Sequence, residues 1–396
     1  MLATSLRASS LSLFAAALAV APIADAATFQ TLHGFNGGTE GSGPQGQLVM
    51  DAAGLLYGTT ISGGPNNGGT VFRFNPGTGA LTVLYAFSLG GATGMTPAAG
   101  LIIDSTGKLY GTTQRGGGSA NCAYGCGTVF KLDPATGTLT VLHAFNGTGD
   151  GSTPSGRLRF YKGAGTLFGT TFYGGNAPDC GGNGCGTVFK IATKTKTLTT
   201  VHQFVLADGV APNAGLTPDT TGVLYGTTSG GGANGSGGLF KVDPVTSAFA
   251  PLHFFDYHVD GSAPESDLTY RGGIFWGTTH AGGSTADASG SIFTYDPVGG
   301  LATVHNLVGP GDGILPFAAP VSGPGGLLYG TANQGGPSGA GTIYSITGAT
   351  HKYKVIYNFT GGTDGALPTA GLVRDAAGAL YGVTSSGNGT IYKITP

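Results

Sequence analysis

The chain has 396 residues with a formal net charge of −2; 78 residues are glycine, 10% are aromatic and only 9% are charged. That balance, with neither a basic patch nor an acidic tail, excludes a protein that holds nucleic acid by charge. Glycine without a G-X-Y period, interleaved with β-branched and aromatic runs, excludes collagen and a disordered polymer and predicts a turn-rich β protein.

Residues 1–26 read as a secretory signal peptide: Arg7, an apolar run from Leu11 to Ala21, then Ala24-Asp25-Ala26 as a small-x-small cleavage site. The mature chain is expected to start at Ala27, to lack any apolar stretch of the roughly 18 residues that span a membrane, and to be secreted or periplasmic.

From there the pattern Leu-Tyr-Gly-Thr-Thr returns seven times, at Leu56–Thr60, Leu109–Thr113, Leu167–Thr171, Leu224–Thr228, Phe275–Thr279, Leu328–Ala332 and Leu380–Thr384. Aromatic-to-aromatic steps of 53, 58, 57, 51, 53 and 52 residues are too long for a solenoid coil and fit one four-stranded propeller blade. Each repeat offers four short strand candidates bounded by Gly, Pro, Asp or Asn. In their clearest copies these are a (Gly371 to Arg374), b (Leu380 to Thr384), c (Gly127 to Leu132) and d (Leu139 to Phe145). The a-b turn is Asp-x-x-Gly and the c-d turn Asp-Pro-x-Thr-Gly, both of hairpin length. A lone strand d, Phe29 to Phe35, precedes the first a, and the chain stops after the last c at Pro396. The expected fold is therefore an all-β, seven-bladed β-propeller over 27–396, a single domain closed when the N-terminal strand completes the C-terminal blade. Closure removes edges that would template aggregation.

Cys122 and Cys126 lie in one glycine-rich loop, and Cys180 and Cys185 in the equivalent loop of the next repeat. Equivalent placement and an oxidising compartment favour two local disulfides, with a four-thiolate zinc site as the alternative.

These motifs, L-Y-G-T-T, then G-G, then G-T-V-F-K, resemble the GloVer repeat family, tandem repeats of exported bacterial proteins, over essentially the whole mature chain. The resemblance implies export and a propeller-like fold but no shared activity and no catalytic residue. Members often end in a surface anchor; none is seen here, which implies a free secreted or periplasmic protein.

Comparing the seven copies separates residues that serve the blade from residues that stand alone. His33, His143, His202, His253 and His305 share one strand-d position, with Tyr85 and Tyr357 in the other copies, and read as structural rather than as a shared metal site. The repeated Asp residues read as turn formers, so no metal and no cofactor is expected. Off pattern stand His258, His280 and His351, and Asp179, Asp256, Glu265, Asp267 and Asp287.

Strand a should be innermost. Leu48 and its counterparts should pack between blades, leaving the other parity to face the channel. There two rows read Gln47, Gly100, Arg157, Gly215, Asp267, Ala319, Gly371 and Val49, Ile102, Arg159, Thr217, Thr269, Val321, Val373. The b-c and d-a loops should share the ligand face. The pairs after each L-Y-G-T-T should rim its mouth, giving Gln114, Arg115, Phe172, Tyr173, His280, Asn333 and Gln334 as binding candidates, joined by Asp256 and His258.

The leading expectation is an extracellular binding module, taking a glycan or other envelope ligand at this mouth as a monomer. A polysaccharide lyase or glycoside hydrolase is the second: Arg157 or Arg159 would neutralise a uronate and His280 or Tyr173 move its proton. In a hydrolase, Glu265 and Asp267 would be half of an acid/base arrangement, although i,i+2 strand residues lie about 6 to 7 Å apart. The third is a purely structural envelope or matrix protein in which Arg157 pairs with Asp267 across the channel. No nucleophile elbow, P-loop, dinucleotide fingerprint or HExxH is present.

Overall fold

A computed structural model describes residues 27–161, 163 and 165–396; the expected signal peptide lies outside them. The described strands form seven four-stranded antiparallel sheets. In the first blade they run a (Val49–Met50), b (Leu56–Thr60), c (Asn67–Asn75) and d (Ala80–Ser88). Six sheets take their strands in chain order. In the seventh, Thr28–Gly34 pairs with Thr390–Thr395 outside Leu380–Thr384 and Val373–Arg374. The N-terminal strand thus closes the ring.

One expectation needs correcting. Strand a of the last blade is only Val373–Arg374, because Gly371 and Leu372 lie beyond its two-residue ladder with the b strand. The preceding carbonyls bond sideways instead: Thr331 donates its hydroxyl to Ala370 O at 3.2 Å, from one blade to the next. Thr59 to Ala99, Thr170 to Ala214 and Thr227 to Ser266 make the same inter-blade bond, and Thr278 reaches the next blade two residues earlier, at Pro316 O. Here lies the role of the first threonine of L-Y-G-T-T. Thr112, between the second and third blades, finds no partner, and Val383 replaces the residue at the closing seam.

The second threonine works within its blade. Thr113 Oγ1 meets Thr128 Oγ1 at 2.9 Å, and Thr128 Oγ1 lies 3.0 Å from Thr93 O in the d-a loop. Glycine at the motif's centre is required by contact: a Cβ on Gly111 would stand 2.7 Å from both Leu101 and Phe130. Those two side chains are fully buried, so the b strand can pass only without a side chain there.

Every c-d pair carries a bulge at one site, as where Val129 faces His143 but Phe130 faces Val141. One extra residue resets the side-chain alternation, and a buried aromatic then follows in six blades, with Leu307 in its place in the fifth. Phe87 meets Phe130 with ring centroids 5.5 Å apart, Phe145 meets Phe189 at 5.2 Å, and across the closing seam Phe35 meets Phe72 at 5.2 Å. These edge-on contacts between buried rings hold neighbouring blades together.

The repeated histidines have a definite task. His143 Nε2 lies 2.9 Å from Asp150 in the following d-a loop; His33–Glu40, His202–Asp208, His253–Asp260 and His305–Asp312 repeat the contact. Tyr357 donates to Asp364 in the same way. Each pair pins a long loop to its own outer strand. Disulfides Cys122–Cys126 and Cys180–Cys185 close the two cysteine loops, which removes the zinc alternative because no thiolate is left.

Candidate functional site

The seven inner strands converge on a central channel holding a cavity of about 180 Å³. The buried leucines, Leu48 through Leu372, pack between blades, so the opposite parity lines the channel as expected. Three levels succeed one another along it. At the mouth stand Gln45, Ala98, Ser155, Asn213, Glu265, Phe317 and Thr369, one from each blade. Below them come Gln47, Gly100, Arg157, Asp267, Ala319 and Gly371, and lower still Thr269 and Val321.

Local sequence explains the mouth. Each of its residues follows a proline (Pro44, Pro97, Pro154, Pro212, Pro264, Pro316 or Pro368), whose fixed φ aims the chain into the inner strand. Of this ring only Glu265 was singled out from sequence. Carrying the channel parity two residues further upstream would have found the rest.

Arg157 reaches past the blade between to Asp267, Nε to Oδ2 at 3.1 Å, while Asp267 Oδ1 accepts the Gly215 amide at 2.6 Å. The pair clamps three consecutive blades. Gly215 is what makes room: a Cβ there would lie 2.9 Å from Asp267 Oδ1 and 2.5 Å from Arg157 O. Arg159, two residues on, keeps its Nε buried without a partner. Burial first, then the like charge of Arg157, lowers its pKa against the opposing pull of Asp267.

Glu265 is ringed by uncharged neighbours. Burial raises its pKa, and a hydrogen bond with Asn213 only partly offsets this. His280 packs against Phe317 with centroids 4.4 Å apart; its Nδ1 is buried without a partner and burial lowers its pKa. Gln114 reaches the same mouth.

The other predicted rim residues make local contacts of their own. Phe172 and Tyr173 stack edge-on at 4.6 Å, Tyr173 43% exposed. Arg115 covers Tyr124 at 5.4 Å. Asn333 is buried against Pro368 O, and exposed Gln334 bridges to Ile314 through backbone. Asp256 accepts the His258 amide at 2.9 Å within its own loop. The second residue after L-Y-G-T-T bridges to the d-a loop, while Gln114, a first residue, lines the mouth.

The Gloeobacter/Verrucomicrobia repeat matches residues 19–179, 119–288 and 273–396, which together run through every blade. The chain belongs to that repeat family. No curated protein matches the sequence. Among solved structures, the extracellular domain of a protein described as a one-component system from B. thetaiotaomicron aligns with 93% of this chain at 13% identity and TM-score 0.58. The repeat chain spans 41% of that protein. A protein described as a 6-phosphogluconolactonase from Bacteroides uniformis aligns over 78% of this chain and 83% of its own at 18% identity and TM-score 0.52. At such identities the likeness concerns the propeller fold, which hosts many unrelated functions.

Proposed function

We propose that this repeat-family propeller is an exported binding module that takes a glycan of the cell envelope or surroundings at the mouth of its channel. The observation that carries this reading is the mouth ring itself. Each blade contributes one side chain at the same level, and five of the seven, Gln45, Ser155, Asn213, Glu265 and Thr369, are polar. Phe317 adds an apolar face among them. Alternating hydroxyl, amide and carboxyl groups around an aromatic ring suit a sugar, whose ring offers hydroxyls at its edge and C–H groups on its face. The Thr369 hydroxyl is buried and has no hydrogen-bond partner among the described residues. Two disulfides accord with export to an oxidising compartment, and no described helix is long and apolar enough to cross a membrane.

Binding is favoured over catalysis by how the candidate catalytic groups are used. Asp267 is engaged with Arg157 and the Gly215 amide, so Glu265 has no second free carboxylate two residues away for a hydrolytic pair. A thermal-shift screen of the mature protein against soluble polysaccharides, with ultraviolet absorbance followed for unsaturated uronate, tests the reading. A saturable shift without product is expected. A new absorbing product abolished by Arg157→Ala or His280→Ala would replace the binding reading with the lyase one.

A further inference from the structure

Arg159 makes no ion pair among the described residues, and the nearest opposing charge, Asp267, is engaged by Arg157. Arg159 stands on the third blade's inner strand, Arg159–Tyr161, and shares the channel parity with Arg157. Arg157 engages Asp267 through Nε; its Nη groups make no hydrogen bond among the described residues. Arg159 makes no ion pair or hydrogen bond there at all, and its Nε is buried. The corresponding residues of the other blades, Val49, Ile102, Thr217, Thr269, Val321 and Val373, include no acid. The Thr217 hydroxyl is occupied by Leu268 O at 2.7 Å. The cavity descends to this level at Thr269 and Val321.

The blade does not need an arginine here. Six copies fold with valine, isoleucine or threonine, and a desolvated guanidinium with an unmet N–H destabilises the chain that carries it. A structural arginine would have an acceptor on Nε. Among the described residues it has none, and two guanidiniums stand beside the single carboxylate of Asp267. Charge and hydrogen-bonding capacity are both left over beside the cavity, whose lining includes Arg157 and Asp267.

We propose that Arg159, with the Nη groups of Arg157 beside it, forms a site for one carboxylate, and that the ligand of the mouth is an acidic saccharide whose uronate group descends into the channel. This inference rests on the binding reading and specifies its ligand class. Guanidinium forks match a carboxylate's two oxygens and make stronger hydrogen bonds than neutral donors do.

The test is calorimetric titration and thermal shift of the mature protein with galacturonate, trigalacturonate, glucose and sulfate, repeated on Arg159→Gln and Asn213→Ala. Removing an unpaired buried charge leaves the free protein at least as stable, so Arg159→Gln is expected to fold, and its melting temperature checks this. Galacturonate and trigalacturonate should bind, glucose should bind far more weakly, and Arg159→Gln should weaken the acidic ligands about tenfold or more. Equal binding of galacturonate by Arg159→Gln would overturn the proposal. So would sulfate binding as tightly as the sugar acid, which would mark a simple oxyanion site. If neutral sugars bind as well as acidic ones and only Asn213→Ala abolishes them, the carboxylate site is refuted while the mouth reading stands. If no saccharide of either kind binds, both fall.

Discussion

Tyr110 donates its hydroxyl to Asp104 at 3.0 Å, six residues back across the a-b hairpin. Tyr57 to Asp51 and Tyr381 to Asp375 make the same bond at the same length. Asp104 also accepts the amides of Thr106 and Lys108 through Oδ1, so one carboxylate shapes the turn and anchors the tyrosine of the repeat motif. Where the aromatic is Phe168 or Trp276, the preceding a-b turn contains no aspartate. Tyr329 is the exception, a hydroxyl whose a-b turn has no aspartate.

That pairing predicts the effect of Tyr110→Phe. The hydroxyl is buried, and burial together with Asp104 pushes its pKa up to about 12. Losing a hydrogen bond to a charged acceptor costs roughly 1.5 to 3 kcal/mol, and partial exposure of Asp104 places the loss near the lower figure, measured by urea unfolding. Burial raises the Asp104 pKa, but the bonds from Thr106, Lys108 and Tyr110 outweigh it and hold the carboxyl below its usual value. Its stabilisation is therefore present above the ordinary carboxylate pKa and is lost as pH falls through the lowered one. Asp104→Asn should flatten that part of the acid limb.

Ring closure predicts that Phe35→Ala is among the costliest substitutions in the N-terminal strand. Phe35 is 5% exposed and wedges against Phe72 at the closing seam; a buried Phe→Ala change costs about 3 to 5 kcal/mol. Deleting residues 28–35 should go further, since it bares the edge of Thr390–Thr395. Size-exclusion chromatography should then show higher oligomers.

The disulfides close loops of only four and five residues' separation. Loop-closure entropy assigns each about 2 kcal/mol. Cys122→Ser with Cys126→Ser should lower stability by that amount while leaving the far side of the ring unchanged, as amide hydrogen exchange would record.

Glu265 carries a pH signature of the opposite sign to Asp104. Its folded pKa is raised by burial, so the folded state binds the proton more tightly and stability falls as pH rises from the unfolded toward the folded pKa. Glu265→Gln should raise the melting temperature at neutral pH, and the gain should vanish below the ordinary carboxylate range. A gain that persists unchanged in acid would contradict the burial argument.

The fold was legible because one motif recurs with its turns intact: glycine spacing, Asp turns and alternation recover the blades, and the stray strand from Phe29 recovers the closure. Pairings between distant loops were less legible. His143 and Asp150 were each explained separately, though their seven-residue spacing recurs in four of the five repeated histidine pairs and is six in His202–Asp208. At the site, parity points Arg157 and Asp267 into the channel, where they line the cavity and form the ion pair expected across it. The mouth ring was missed apart from Glu265 because strand a is shorter than its sequence pattern, so the residues after the prolines read as loop. Arg115, Tyr173 and Gln334 are exposed and bridge to the d-a loop through backbone, and side-chain alternation sets them apart from Gln114 in the preceding position of its copy.

The central claim is that a saccharide binds at the channel mouth, and a glycan array probed with the mature wild-type protein beside an Asn213→Ala/Phe317→Ala variant tests it most directly. The account predicts that wild type retains a subset of glycans, and that the variant, with unchanged melting behaviour, loses them. Glycans held equally by both proteins, or none held by either, would contradict it.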